Sequence, residues 1–155
     1  MNGWSTLFDP DSWLAAGYLG LFVISFVAAT LAPLGSELFV TAMVAGGYDQ
    51  WGVLLVATAG NSLGSLCNYY VGKWGGDFLF SRWIHLAPAK LARAQQLYER
   101  WGAPALFFAW APVIGDALTL VSGTLRLNLL SFCFWVVLGK ALRYLVLIGL
   151  VAWWR

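Results

Sequence analysis

Four ionisable side chains stand where an apolar chain has little reason to carry them. Glu37 and Asp116 each follow a proline by four residues, in "TLAPLGSELFV" (30–40) and "APVIGDALTLV" (111–121), and Lys140 and Arg143 stand three apart in "GKALRY" (139–144). Three-residue spacing puts both cations on one helix face. Burial disfavours a carboxylate's charge and a nearby cation restores it, so two acids and two bases in one site can exchange partners as a proton comes and goes. A charge at the bilayer centre costs on the order of 3 kcal/mol on insertion scales, so such groups pair with one another or line a cavity. One reading is a set of neutral pairs that only specifies packing. The favoured one is a substrate or proton site made by Glu37, Asp116, Lys140 and Arg143 with Asn61.

These groups belong to a chain too apolar for an ordinary soluble domain. Its 155 residues are 61% hydrophobic, 17% aromatic and 10% charged, with mean hydropathy +0.74, which places it among integral membrane proteins. Ten Trp and six Tyr suit the two membrane interfaces. The start, "MNGWSTLFDPDSWLAA" (1–16), has no Lys or Arg and is not a cleavable leader, so it is expected to be retained, with Trp4, Leu7, Phe8, Trp13 and Leu14 at an interface. A net charge of +2 without a basic, aromatic-laced patch argues against nucleic acid. Cys67 and Cys133, in apolar segments without Cys or His neighbours, are expected to be small buried packing residues, and no metal or other cofactor is implied.

Two stretches have the length of a bilayer span, 50–74 and 129–154, and each follows a broken segment. The first broken segment comprises 17–32, the Pro33 to Glu37 break and 38–46; the second comprises 103–111, the Pro112 to Asp116 break and 117–125. Nine helical residues cover only about 14 Å, half of the hydrocarbon core, so re-entry is the natural reading. Non-helical backbone at that depth is tolerated only inside protein or beside a wet cavity. Pro33 and Pro112 end the first arms, Gly35 and Gly115 permit tight tips, and the carboxylates share the polar surroundings that the freed backbone needs.

The halves correspond at an offset of 79: Pro33 with Pro112, Glu37 with Asp116, Gly60 with Gly139, Asn61 with Lys140 and Gly64 with Arg143. The expected fold is therefore an all-α, single membrane domain over 1–155. Repeat one is 17–74 (hairpin 17–47, span 50–74), repeat two is 103–154 (hairpin 103–126, span 129–154), and a basic interfacial connector, 75–102, joins them. One crossing per unit turns the second upside down, an inverted repeat of re-entrant hairpin plus transmembrane helix. Lys140 then lies about 16 Å into its span, near the midplane. The first span offers Asn61, Ser65 and Asn68 with Gly60, Gly64 and Gly72 as an uncharged polar stripe.

Over 72–102, Lys73, Arg82, Lys90, Arg93 and Arg100 outnumber Asp77 and Glu99, which marks this stretch as cytoplasmic and both termini as outside. After Pro88 the pattern is amphipathic, with Leu91, Ala94, Leu97, Tyr98 and Trp101 on one face and Arg93, Gln96, Glu99 and Arg100 on the other; Lys90 snorkels at the edge.

Enzyme readings are weaker. "GYD" (47–49) and "IGD" (114–116) loosely resemble paired intramembrane protease aspartates, but Val113 stands where glycine is needed and Asp49 falls in a loop. A lipid phosphatase would want histidines, and His85, beside Trp83 in the connector, is the chain's one. No catalytic residue is assigned.

The blocks "ATLAPLGSELF", "ATAGNSLGSLCNYYVGKW", "WAPVIGDALTLVSGTLR" and "LGKALRY" resemble the DedA family of bacterial inner-membrane proteins, in its small YqaA-like branch, over nearly the whole chain. The resemblance implies two opposed re-entrant hairpins, an inner-membrane location and kinship with the DedA/VTT lipid transporters and scramblases, with dependence on the proton-motive force. The chain departs from the family's second-hairpin pattern F-x-R-F-x-P-x-x-R, in which Ala109 and Gly115 stand where arginines would; Lys140 and Arg143 are the available cations. The expected function is a lipid transporter or flippase for a phosphate-bearing lipid, coupled to protons. Its partners are membrane lipids and protons. The alternatives are a proton- or cation-coupled carrier of a small soluble solute and a non-transporting membrane scaffold.

Overall fold

The computed structural model describes residues 10–30, 35–75, 88–111 and 114–154. Pro33, Pro112, His85 and the N-terminal residues through Phe8 lie outside them, and the side chains of Trp13 and Leu14 are likewise outside the description. The described residues are helical with no strand among them: α1 (Pro10–Ala28), α2 (Ser36–Ala45), α3 (Gln50–Trp74), α4 (Pro88–Trp101), a 3-10 helix (Ala103–Trp110), α5 (Gly115–Thr124) and α6 (Leu129–Trp154).

The long helices start where short polar side chains cap them. Asp49 accepts the Gly52 N–H at 2.6 Å ahead of α3, and Asn128 Oδ1 accepts the N–H groups of Leu130 and Ser131 at 2.9 and 3.2 Å ahead of α6. Asp49 is thus a helix cap, which accounts for it without catalysis. The turns entering these helices are also alike. Tyr48 N–H reaches Met43 O and Gly47 N–H reaches Val44 O; 79 residues on, Leu127 N–H reaches Ser122 O and Arg126 N–H reaches Gly123 O, all at 3.0–3.1 Å. This pairing closes a helix end with a left-handed residue, Gly47 at φ 89° and Arg126 at φ 52°.

α1 begins at Pro10, seven residues before the expected arm, because proline suits the first helical position, where its missing N–H costs nothing. Its 19 residues span about 28 Å. The 3-10 helix ahead of α5 has only 8 residues and is about 16 Å long. α1 and the 3-10 helix are therefore unequal in length.

α3 packs on α1, α5 and α6; α6 packs on the 3-10 helix, α3 and α2; α4 lies against α5 and the 3-10 helix. Small residues set these distances. A Cβ added at Gly60 or Gly64 would stand 2.5 Å from the carbonyl oxygens of Phe22 and Phe26 on α1, and one at Gly139 would collide with Phe107 O. Gly72 and Gly123 face each other's helices, so a Cβ on either would run into Leu120 O or Tyr69 O respectively.

α6 carries its polarity inside out. Leu130, Phe134, Leu138, Leu142, Val146, Leu150 and Trp154, spaced every four residues, are exposed, while Phe132, Val136, Lys140, Tyr144 and Ile148 form the buried stripe. A continuous apolar face on the outside with a lysine within is the arrangement a lipid solvent demands. Among the described residues α6 alone is long and apolar enough to cross a membrane by length and composition. α3 is nearly as long, but the Gly, Asn and Ser residues it buries keep it out of that class. Cys133 is partly buried, whereas Cys67 is exposed on α3, contrary to the expected burial, because the buried face of that helix is the Gly60, Asn61, Gly64 and Ser65 side.

Candidate functional site

Lys140 is 3% exposed, and its ammonium uses its three N–H donors on α3: Asn61 O at 2.9 Å, Ser65 Oγ at 2.5 Å and Asn61 Oδ1. Lys140 and Asn61 are themselves 79 residues apart, the offset that also separates the starts of α3 and α6. Asn61 turns its amide toward Tyr144, donating to the phenol oxygen at 2.8 Å, and Tyr144 donates to Ser36 Oγ at 2.9 Å. A buried chain of hydrogen bonds therefore runs from Lys140 through Asn61 and Tyr144 to Ser36, the first residue of α2 and the neighbour of Glu37.

Glu37 and Arg143 form an ion pair between α2 and α6, through Oε1 and Nη2, with side chains 28% and 15% exposed. Arg143 also donates to Trp110 O, at the end of the 3-10 helix, at 3.0 Å, and stacks its guanidinium 5.4 Å from the Tyr144 ring. Glu37 Oε2 has no hydrogen-bond partner among the described residues. Asp116, in the first turn of α5, acts electrostatically on Lys140, and the two line one small cavity with Asn61 and Arg143. The cavity is about 20 Å³, bounded otherwise by Ala28, Ala29 and residues 109–111, and so has room for about one water.

Of the residues expected from sequence, Glu37, Asp116, Lys140, Arg143 and Asn61 come together, each from α2, α3, α5 or α6. Gly35 caps α2 and Gly115 is the first residue of α5. Gly35 is at φ −88°, and neither is among the positive-φ residues. Gly115 serves by its size instead, since a Cβ there would collide with Ala109 O. Ala109 is buried as well, so the two positions where the family pattern has arginine are packed against each other. Tyr144 and Ser36 were not anticipated. Tyr144 follows Lys140 by four residues, a spacing that puts both on one face and was the available signal.

Comparison with known proteins gives the same assignment as the motifs. The VTT domain family matches residues 33–152. The chain is 37% identical over 146 residues to "Inner membrane protein YqaA" of Escherichia coli, covering 91% of this chain and 98% of that one. It is 34% identical over 153 residues to an uncharacterized protein of Haemophilus influenzae, with 94% of each covered. It is 26% identical over 152 residues to an "Alkaline phosphatase-like protein" of Lactococcus lactis, covering 88% and 70%. No solved structure matches. With a family match over most of its length, a lipid-facing α6 and charges turned inward, the chain is a membrane protein that belongs to the VTT domain (DedA) family.

Proposed function

We propose that the chain is an inner-membrane lipid transporter that moves a phosphate-bearing lipid, with Lys140 and Arg143 meeting the headgroup while Glu37 and Asp116 change protonation and partners. The observation that carries this reading is the convergence of two acids and two bases from α2, α5 and α6, with Asp116, Lys140 and Arg143 lining one polar cavity and Glu37 paired with Arg143. A neutral cluster can release a cation to a phosphate only if an acid is protonated in exchange, which couples lipid to proton. A cavity with room for about one water belongs to an occluded state, so the hairpins have to move to admit a headgroup.

The inverted repeat belongs to the same reading. α2 and α5 begin and end 79 residues apart, and α3 and α6 begin 79 apart. The packing crosses over, α3 on α5 and α6 on α2. On a two-fold axis in the membrane plane, equivalent positions meet, as Asn61 and Lys140 do. α2 and α5, about 15 Å each, are the arms of two re-entrant hairpins, and the basic connector 72–102 lies on the cytoplasmic side with both termini outside.

The size of the cavity also favours a second reading, a proton-coupled carrier of a small soluble solute. Leaflet exchange separates the two. Purified protein in liposomes should move headgroup-labelled phosphatidylethanolamine or a polyprenyl phosphate, faster with a pH gradient, and Glu37→Gln and Asp116→Asn should lose this while still inserting. Normal transport by both variants would sink the proposal, and no movement of any lipid would favour the soluble solute.

A further inference from the structure

Away from the buried charges, the angle between α4, the 3-10 helix and the start of α5 opens into a groove of about 440 Å³. That volume lies within the usual range of ligand pockets, about 300–1,000 Å³. Leu97, Trp101, Phe108 and Ile114 make its wall apolar, and Gln96 and Arg100 supply the polar groups at the α4 side. Arg100 is exposed, and no ion pair for it is found among the described residues. Glu99 is exposed but is not part of the lining. α4 is anchored beneath the groove by Tyr98, whose phenol donates to Leu118 O at 2.9 Å, and by fully buried Ala94. The groove is thus framed by a docked helix.

We propose that this groove is a binding site for an anionic phospholipid, with an acyl chain along Leu97, Phe108 and Ile114 and the phosphate held by Arg100. Charge complementarity selects the occupant. An apolar trough ending in a guanidinium matches an anionic lipid, whose phosphate accepts two parallel N–H bonds from it. An interfacial amphipathic helix sets that cation at headgroup depth. Ala111 lines both this groove and the small cavity, so the bound lipid lies one residue's thickness from the buried charges. The site needs no translocation and stands apart from the transport reading.

The test measures binding alone. Full-length protein is placed in phosphatidylcholine vesicles containing a minor fraction of phosphatidylglycerol or phosphatidylcholine with a photoactivatable diazirine in the acyl chain, and labelled peptides are mapped. Phosphatidylglycerol should label the Phe108–Ile114 region roughly tenfold more than phosphatidylcholine, the worth of one charge-assisted contact. Arg100→Gln should bring the two lipids to parity, while Arg93→Gln, exposed on the same helix and outside the groove, should leave the preference unchanged. Equal labelling in the unaltered protein would mean ordinary annular contact and overturn the site. So would a preference that survives Arg100→Gln or falls equally with Arg93→Gln, which would indicate diffuse attraction to the basic connector.

Discussion

Replacing Lys140 with Met removes a buried ammonium and keeps most of its volume. Three acceptors lose a donor at once, Asn61 O, Asn61 Oδ1 and Ser65 Oγ, on residues that are 4% and 1% exposed. Asn61 O keeps its intrahelical N–H partner, while a buried acceptor left with none costs about 1–3 kcal/mol. The change also takes the Lys140 cation away from the Asp116 carboxylate. Against these losses stands the desolvation that the ammonium no longer suffers, so the net falls near the 3–5 kcal/mol typical of removing one partner from a buried charged set. Adding Asp116→Asn restores charge balance, and the double variant should recover about 1–3 kcal/mol relative to the sum of the single losses. The assay is reversible unfolding in mixed micelles, titrated with a denaturing detergent and followed by the ten tryptophans. A Lys140→Met loss below about 1 kcal/mol, or additive losses in the double variant, would refute the reasoning that a single balanced cluster holds α3, α5 and α6 together.

Other substitutions probe the scaffold. Arg126→Gly relieves the left-handed backbone at φ 52° and should stabilise by about 1 kcal/mol, whereas Gly47→Ala, in the equivalent turn, should cost about as much, both read by the same unfolding titration. Gly72→Val and Gly123→Val each push a side chain into the facing backbone and should cost about 1–3 kcal/mol or more, with a shift in a cross-link between α3 and α5. Tyr98→Phe should loosen α4 by about 1 kcal/mol, seen as faster hydrogen exchange over Pro88–Trp101. Burial pushes the Tyr98 phenol up from its ordinary 10.0, so the folded state favours the protonated form. That stabilisation is present below pH 10 and fades as pH rises above it, so α4 exchange should quicken in alkali and Tyr98→Phe should abolish that component.

Much of this was legible from sequence for definite reasons. α3 and α6 begin at Gln50 and Leu129 because Asp49 and Asn128 are capping residues set before apolar runs. The charged residues stood out because an ionisable group in an apolar chain is costly enough to need a cause. The pairing was not legible: Glu37 with Arg143 and Lys140 with Asn61 depend on how α2 and α3 meet α6, which no local pattern encodes. Tyr144 and Ser36 escaped notice because a hydroxyl raises no comparable anomaly, and only the packed structure turns them into one chain. The early start of α1 was hidden because residues 1–16 read as an interfacial stretch rather than as one with a helix opening at Pro10.

Under the inverted repeat proposed above, the meeting of Asn61 with Lys140 carries a historical consequence. Were the two halves separate, identical subunits, the position on their shared axis would face its own copy. Two lysines there would set like charges together in a medium that screens nothing, while two asparagines would satisfy one another. An ammonium donor opposite an amide acceptor is open only to halves that are no longer identical, as the two halves of one chain are free to become. Divergence of the halves would thus have been the condition for placing a lone cation where the two meet.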